Sequence, residues 1–350
     1  MPDTKKAKSL TNPASLNTGQ YDAWCLRTAM LARGLATTSM PGDMVFARVG
    51  GEVALAYKHL GSYGTTYAGM GQARSLPRTW MTVDASGLPV PRFRTVPKNA
   101  GGKAVLFARL AGLPVLVSSQ SGSHRRVAEK PAAVREAVTE LNSKLEESLL
   151  VSTTPGHQIV RILVRGGAVL AVAGERRKEE LSLNDLDSGL QELAIQAVEA
   201  MPGLDMASVT LAVATLESAE GAILERVNHH PHLREFSRGS RREAQRLAER
   251  FVTDAAEERG FSLPPAQESR ALRIRFTGAA APERLGLGIN EFADSLGLTR
   301  PDGDARIIPD GAELNIEGRP SDIAMLVTRA GIGLADGESA HMVETFDMAE

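Results

Sequence analysis

Two polar segments carry residue types that could bind or transform a ligand. The first, residues 118–124, reads Ser-Ser-Gln-Ser-Gly-Ser-His and follows an apolar run. Backbone N–H groups of Ser121, Gly122, Ser123 and His124 could surround a phosphate, because successive N–H groups in a turn form a concave anion site. The same composition is typical of an exposed surface loop, and the sequence leaves both interpretations open.

The second segment, His229-His230-Pro231-His232, invites a metal-binding interpretation. Along an extended strand His230 and His232 would share one face, since alternate side chains point the same way. No Cys or carboxylate spacing in this region completes a zinc ligand set. We therefore expect no metal site here and interpret these histidines as loop residues at the edge of a cleft.

The elements that must position these segments are predicted from hydrophobic periodicity. A strand over 114–117 leads into the first segment, and paired strands over 208–215 and 222–227 lead into the second. Further strands are predicted over 149–151, 158–164 and 168–173. Helices are predicted over 21–35, 75–86, 102–111, 131–145, 184–199 and 240–259. The chain is therefore expected to fold as an α+β protein.

Composition excludes several classes of partner. The 350 residues carry a net charge of −2, so no overall basic field points to nucleic acid or to an anionic membrane. The single cysteine, Cys25, rules out an internal disulfide framework and is expected to be buried as apolar filler. A reducing compartment and the absence of an 18-residue apolar run favour a cytoplasmic protein without a membrane span.

Four regions follow one another along the chain. A polar, flexible leader is expected over 1–20 and a truncated N-terminal α/β region over 21–71. A larger domain is expected over 72–262, and the Pro-rich stretch 263–267 is interpreted as a linker. Residues 271–350 have the order strand, helix, strand, strand, helix, strand, which is typical of the ferredoxin-like unit.

Several quoted segments occur in an order found in a known family. They are "SGLPVPRFRTV" (86–96), "LAGLPVLVSSQSGSHRRV" (110–127), "LLVSTTPGHQIVRILVRGGAVLAVAGERR" (149–177, with Gly156, Arg161 and a Gly-Gly hairpin) and "SVTLAVATLESAEGAILERVNHHPHL" (208–233). Residues 72–260 thereby resemble the ATP-grasp ligases, most closely the cyanophycin-synthetase-like and D-alanine-ligase-like branches. The resemblance implies two α/β lobes that grip ATP and Mg²⁺, phosphorylate a carboxylate and let an amine displace the phosphate.

The C-terminal region resembles a second family. The segments "RIRFTG", "INEFADSLGLT" and "DGAELNIEGRPSDIAMLV" resemble the acylphosphatase fold. That family uses an Arg in a phosphate-binding loop; Arg284 lies near the required place, but Pro282 removes one backbone donor. No Asn occupies the expected second-strand position, so we expect a structural or interaction domain here.

The ATP-grasp resemblance implies roles for particular residues. Members of the family hold the nucleotide phosphates with two lysines, and here those positions fall near Leu76 and at Ser118. Arg74 and Arg78 are the cations near the first position. The resemblance assigns nucleotide binding to the following residues: Arg78, Ser118, Ser121, Gly122, Ser123, His124 and Glu225.

The family's magnesium positions are also substituted. The acidic residue of the penultimate strand falls near Thr210, and the family's Glu-Val-Asn is Arg226-Val227-Asn228 here. Glu225 is displaced by one residue, which on a regular strand turns its side chain to the opposite face. Arg161 and Asn228 remain at family positions, so the resemblance assigns them the catalytic roles. No complete metal-ligand set is expected.

Arginines would take over part of the missing charge. The resemblance places six arginines near the expected nucleotide cleft: Arg74, Arg78, Arg125, Arg126, Arg161 and Arg226. Each lost charge-assisted hydrogen bond is worth roughly 1.5–3 kcal/mol, and arginine differs from lysine in geometry and hydration. Anion binding is therefore expected to survive, with the binding of ATP and Mg²⁺ weakened or lost.

Three functional hypotheses follow. The preferred one is a non-catalytic or regulatory companion of carboxylate–amine ligases, in a homo- or heterodimer whose partner could be an active ATP-grasp ligase. The second is a divergent ligase that joins an amino acid or peptide to a carboxylate through an acyl phosphate. The third is a module that binds an anionic metabolite or peptide without chemistry.

Overall fold

A computed structural model describes residues 10–49, 51–61, 64–154, 158–175, 181–334 and 337–348. The chain divides into two compact units. Residues 64–231 form one of them, named the central unit; residues 1–63 and 232–350 together form the other, named the terminal unit. The division differs from the boundaries expected at residues 71 and 262, because strands near the N-terminus pair with a strand near the C-terminus.

Helices occur in both units. The α-helices are α1 (Thr18–Ala32), α2 (Tyr67–Ala73), α3 (Leu76–Ala85), α4 (Gly101–Ala111), α5 (Pro131–Lys144), α6 (Ser188–Glu199), α7 (Leu233–Phe236), α8 (Arg241–Glu258), α9 (Pro282–Ser295) and α10 (Pro320–Ile332). Short 3-10 helices span Pro13–Ser15 and Leu183–Asp185. Among the residues described, no helix has both the length and the apolar character needed to cross a membrane.

Strands alternate with these helices. They are β1 (Ala36–Met40), β2 (Met44–Val49), β3 (Glu52–Lys58), β4 (Phe93–Val96), β5 (Val115–Ser118), β6 (Arg125–Ala128), β7 (Leu149–Thr153), β8 (Gln158–Arg165), β9 (Ala168–Gly174), β10 (Met206–Val213), β11 (Ile223–Asn228), β12 (Arg270–Thr277), β13 (Arg306–Ile308), β14 (Gly311–Gly318) and β15 (Met342–Asp347). The chain is thus of mixed helix and strand content, as expected.

The central unit contains two four-stranded antiparallel sheets. The first has the order β4-β7-β5-β6 and the second has the order β11-β10-β8-β9. Helices α4 and α5 cover one face of the first sheet through a core that includes Val115 and Val117. Because side chains alternate along a strand, Leu116 and Ser118 lie on the other face.

The second sheet of the central unit buries its own face in the same way. Val160 and Ile162 of β8 pack in a core with Leu190 of α6 and Trp80 of α3. Arg161 lies between two core residues of β8 and therefore on the opposite face of the sheet. Each sheet thus has one face covered by helices and one face that can carry polar side chains.

The terminal unit is built on one seven-stranded sheet. Its order is β13-β14-β12-β15-β1-β2-β3, and Thr38 of β1 lies opposite Glu344 of β15. The predicted order of elements over 271–350 is present as β12-α9-β13-β14-α10-β15. Strands β1, β2 and β3, which lie within the region expected over 21–71, extend this sheet.

Helix α1 joins the N-terminal residues to the core of the terminal unit. Asn17 and Gln20 form a reciprocal capping box at its start, which satisfies two N–H groups there. Trp24 is fully buried, and its indole N–H donates to the carbonyl oxygen of Ser321 at 3.0 Å. Cys25 is buried as expected. The predicted flexible leader does not extend over residues 10–20; residues 1–9 lie outside the described part.

Candidate functional site

A cavity of about 640 Å³ lies in the central unit. Residues of both four-stranded sheets line it on the faces that the helices leave uncovered, together with Leu76 and Trp80 of α3. The polar and charged side chains in the lining are Ser123, Arg125, Ser152, Thr153, Thr154, Arg161, Glu175, Thr210, Glu225 and Arg226. The predicted residues Arg161, Gly122, Ser123 and Glu225 therefore meet at one cavity.

Strand pairing determines the positions of the two cavity-lining arginines of the second sheet. Arg161 of β8 lies opposite Thr210 of β10, and Thr210 lies opposite Arg226 of β11. The Arg161 guanidinium also donates to the carbonyl oxygen of Gly174 at 3.3 Å. Two guanidinium groups thus flank Thr210, the position where the ATP-grasp resemblance places an acidic residue. This part of the cavity is suited to an anion rather than to a cation.

A β-bulge brings Glu225 into the lining. Thr210 pairs with Arg226 whereas Leu211 pairs with Leu224, so Glu225 is the extra residue on β11. Leu224 and Val227 both enter the core, while Glu225 and Arg226 both line the cavity. On a regular strand the one-residue displacement would turn Glu225 away from the site, and the bulge offsets this shift.

Two carboxylates stand together among the arginines. Burial raises the pKa of Glu225, the charge of Glu175 raises it further, and Arg125 and Arg161 act in the opposite direction. The Trp80 indole donates to the backbone carbonyl of Glu225 at 3.0 Å, which fixes the bulge against α3. Burial and the like charge of Glu175 both favour the protonated form of Glu225.

Glu175 is a lining residue that the sequence interpretation missed. It directly follows β9, and Gly174 pairs with Val160, so Glu175 comes opposite Ile159, another lining residue. If the register next to the Gly166-Gly167 turn continued unchanged along both strands, Glu175 would lie opposite Gln158 instead. The register shifts between Leu163 and Val164, and this irregularity is not visible in the hydrophobic pattern.

The polar loop 119–124 is held by its own hydrogen bonds. The N–H groups of Gly122, Ser123 and His124 donate to acceptors in Ser119 or Ser121, at distances of 3.0 to 3.4 Å. These N–H groups are therefore occupied within the loop, which argues against a purely backbone phosphate site. Gly122 has a φ of +72°, and a Cβ there would approach Leu76 to 2.8 Å.

Ser118 and Ser121 differ from their expected roles. Ser118 is buried, and its hydroxyl has no hydrogen-bond partner among the described residues. The hydroxyl of Ser121 lies 2.8 Å from that of Ser123. Neither residue is part of the cavity lining. A neutral, buried hydroxyl at position 118 cannot supply the positive charge of a phosphate-binding lysine.

The other predicted residues lie outside the lining. Arg78 and His124 are exposed, and neither contributes to the cavity. The Asn228 side chain closes a turn, since it donates to the carbonyl of His230 and accepts from its N–H, both at 3.1 Å. The proposed catalytic pair Arg161 and Asn228 is therefore not brought together at the cavity. Gly156 lies outside the described residues.

His229 is buried close to the arginines. Its side chain is 7% exposed, and neither ring nitrogen has a hydrogen-bond partner among the residues described. Burial lowers the pKa of His229 to about 4, and His230, Arg74 and Arg226 lower it in addition. His229 is therefore neutral at physiological pH.

His232 belongs to a different cluster in the terminal unit. Its Nδ1 lies 2.7 Å from Oδ2 of the buried Asp22, which also accepts from the N–H of Leu233 at 3.0 Å. The geometry does not support His230 and His232 as joint ligands. Over the described ranges, no three His, Cys, Asp or Glu side chains are grouped so as to hold a metal ion.

Arg284, the phosphate-loop candidate of the C-terminal region, lies in the first turn of α9. Its guanidinium is 3.5 Å from the Glu338 carboxylate. Pro282 begins the helix, so no N–H donor is present at that position. The neighbouring carboxylate competes with any phosphate for Arg284, which favours a structural role for this residue.

No family model and no curated protein matches this chain. Similar solved structures include the ATP-grasp ligase PsnB complexed with a minimal precursor (15% identity, 52% of this chain and 61% of that chain, TM-score 0.41). A second similar structure is D-alanine–D-alanine ligase from Bacillus anthracis complexed with ATP (12% identity, 56% of this chain and 69% of that chain, TM-score 0.45). A third is a bifunctional glutathione synthetase from Pasteurella multocida (13% identity, 68% of this chain and 44% of that chain, TM-score 0.49).

The extent of these similarities is limited. The chain spans about three fifths of the length of PsnB and less than half of the glutathione synthetase. At identities of 12–15% and TM-scores below 0.5, the likenesses do not decide what this chain binds or catalyses.

Proposed function

We propose that the central unit is an ATP-grasp-like module that binds a nucleotide or a similar polyanion without ligase turnover. The observation that carries this proposal is the charge set of the cavity, whose lining includes Arg125, Arg161 and Arg226 together with Glu175 and Glu225. No lysine belongs to this lining in the described ranges. Two antiparallel sheets that both contribute to one cavity agree with the resemblance of residues 72–260 to that family.

Arginines suit the phosphates of such a ligand. A guanidinium presents a planar array of N–H donors that matches phosphate oxygens, and it stays charged when water is excluded. Arg161 and Arg226 lie on the two strands that flank β10, so they would contact the ligand from either side of Thr210. The cavity volume of about 640 Å³ lies within the range of small-molecule sites.

The two glutamates fit a magnesium ion that arrives with the phosphates. Mg²⁺ usually binds through one or two carboxylates together with substrate phosphate oxygens. Glu175 and Glu225 are near enough for their charges to interact, and a divalent cation would relieve that repulsion. These two residues would hold the ion, whose chemistry when bound is to neutralise the phosphate charge.

The residues that line this cavity do not support catalysis of the ligase reaction. Ligase chemistry needs positive charge placed on the phosphoryl group as it transfers. At the two lysine positions of the family, Leu76 is apolar and Ser118 is a buried neutral hydroxyl. We therefore propose a regulatory or non-catalytic companion of a carboxylate–amine ligase, with the central unit as its ligand sensor.

The ferredoxin-like assignment of residues 271–350 belongs to the same proposal. Strand order β13-β14-β12-β15 with helices α9 and α10 supports it. Strands β1, β2 and β3 widen this sheet beyond β15. We propose that this unit acts in contacts with a partner chain rather than in phosphate hydrolysis.

Calorimetric titration of the full chain with ATP, with and without Mg²⁺, tests the proposal. We expect saturable binding that the variant Arg161→Gln weakens roughly 10- to 100-fold, because it removes charge-assisted hydrogen bonds. Arg135→Gln, on helix α5 and outside the cavity, is the matched control and should leave binding unchanged. ADP release with a panel of amino acids should stay at background.

Two results would contradict the proposal in different ways. If ATP and ADP fail to bind while a carboxylate metabolite does, the central unit is a metabolite-binding module. If ADP accumulates with a particular pair of amino acids and Arg161→Gln abolishes it, the chain is a divergent ligase. The pair Glu175 and Glu225 is the structural feature that would favour this second function.

A further inference from the structure

A buried arginine in the terminal unit has no counter-ion among the described residues. Arg27 of α1 is 3% exposed, and its partners are two neutral hydroxyls, Thr328 and Ser39, the latter at 2.5 Å. Its Nε is buried and has no hydrogen-bond partner within the described part of the chain. Burial lowers the pKa of Arg27 to about 10, which reflects the cost of holding this charge away from water.

The guanidinium borders a small cavity. The cavity has a volume of about 40 Å³ and is lined by α1, by the end of β1 and its turn, by the end of α10 and by the start of β15. Its polar side chains are Arg27, Ser39, Asp43, Thr328 and His341. The space is too small for a nucleotide but holds a group of a few atoms.

The charges around this cavity indicate the charge of the ligand that it would bind. A buried cation is normally compensated by an anion with hydrogen bonds to its donors. The described residues place no carboxylate within ion-pair distance of Arg27; Asp43 acts on it only at longer range. Asp43 lines the same cavity and would repel a doubly charged phosphate, so a singly charged group fits better.

We propose that this cavity binds the carboxylate group of a small molecule, with Arg27 as its main ligand. The Arg27 guanidinium would donate to one carboxylate oxygen, and the hydroxyls of Ser39 and Thr328 would hold the guanidinium in place. A ligand that also carries an ammonium group, as an α-amino acid does, would direct it to Asp43. The site is separate from the arginine cavity of the central unit and does not depend on its function.

Helix α10 offers a way to close the cavity without touching its charges. Gly331 belongs to the lining, and a Cβ at this position would meet no atom within 4 Å. Gly331 is itself exposed, so Gly331→Leu would add a side chain at the rim of the cavity while Arg27, Ser39 and Thr328 remain. Gly71 of α2 is also helical with nothing within 4 Å of its Cβ, which makes Gly71→Leu the matched control.

Ligand-observed NMR titrations of the full chain with ¹³C-acetate, ¹³C-glycine and phosphate test the proposal at constant ionic strength. We expect saturable acetate or glycine binding that Gly331→Leu weakens at least tenfold and Arg27→Gln abolishes. Gly71→Leu and Arg161→Gln should bind as the wild type does. Tighter binding of glycine than of acetate identifies an amino acid as the source of the carboxylate, and equal binding identifies a simple carboxylic acid.

Several outcomes would overturn the proposal. They are the absence of saturable carboxylate binding to the wild type, unchanged carboxylate binding in Gly331→Leu, and preference of the Arg161→Gln variant for phosphate over both carboxylates. Loss of binding in Arg161→Gln would place the carboxylate in the central unit instead. If Arg27→Gln fails to fold, Gly331→Leu decides, because it retains the buried charge. If carboxylate binding at Arg27 is not found, the proposal of nucleotide binding by the central unit still stands. Likewise, failure of nucleotide binding would not affect the proposed carboxylate site.

Discussion

At the scale of single residues, the site differs most from its sequence-based prediction where backbone irregularity intervenes. Arg161 could be placed from the sequence, since it alternates with the apolar residues of a clear strand. Glu225 could not, because the strand pattern predicts a regular register and the structure has a bulge. Asn228 has the expected identity, but its side chain is used in a turn with His230.

His229 gives a pH-dependent prediction. Its pKa is about 4 in the folded state and about 6.5 when unfolded, so the unfolded chain binds more protons between these values. Stability therefore rises with pH across this window and is lost as the pH falls through it. We expect His229→Gln to remove this part of the pH dependence, amounting to roughly 1–2 kcal/mol between pH 6.5 and 4.5.

Urea unfolding of both proteins at pH 7.0 and 4.5 measures this effect. His124→Gln is the control, because His124 is exposed. An identical loss of stability in wild type and His229→Gln at pH 4.5 would show that other groups cause it. The hydrogen bond to Asp22 raises the pKa of His232, so protonation of His232 stabilises the folded state as the pH falls. This effect is opposite to that of His229. The contribution of His229 is therefore read from the difference between wild type and His229→Gln.

At the scale of elements, local patterns predicted most helices and strands and the partners within two hairpins, but not the pairing of distant strands. The helix expected over 131–145 is α5 (Pro131–Lys144), and the helix expected over 240–259 is α8 (Arg241–Glu258). Both have strong formers and a clear apolar face, so they need no information from distant residues. The pairing of β1 with β15 joins residues about 300 positions apart, and no local pattern specifies it.

The bulge on β11 yields a prediction about one element. Deletion of Glu225 would leave Leu224 opposite Leu211 and Arg226 opposite Thr210, which is a regular antiparallel register. We expect the deletion variant to fold, with a melting temperature within several degrees of the wild type. It should lose the magnesium dependence of nucleotide binding, since one of two carboxylates is removed.

The variant Glu225→Ala separates the two effects of that deletion. It removes the carboxylate but keeps the bulge, so magnesium dependence should fall in the same way. A deletion variant that binds Mg-ATP as the wild type does would show that Glu225 has no part in the site. Circular dichroism and calorimetric titration with and without Mg²⁺ provide the measurements.

At the scale of the whole molecule, the two units differ in how the chain builds them. The two hydrophobic clusters of the central unit contain only residues between 73 and 227. The terminal unit instead combines both ends of the chain in one sheet. Sequence analysis could propose the α+β class and the C-terminal order of elements, but the discontinuous unit follows from long-range strand pairing alone.

This division predicts that the central unit folds when separated. A fragment of residues 64–231 keeps both of its sheets and the helices that cover them. We expect it to unfold cooperatively on heating and to bind ATP with an affinity close to that of the full chain. A broad, non-cooperative transition measured by circular dichroism would contradict the prediction.

The shared sheet of the terminal unit also has a consequence during synthesis on the ribosome. Strand β1 emerges about 300 residues before β15, the strand that it pairs with. At roughly 5–20 residues per second, this interval lasts on the order of 15–60 s. The central unit can fold in that time, whereas the edge of β1 that faces β15 in the folded protein stays unpaired until β15 has emerged.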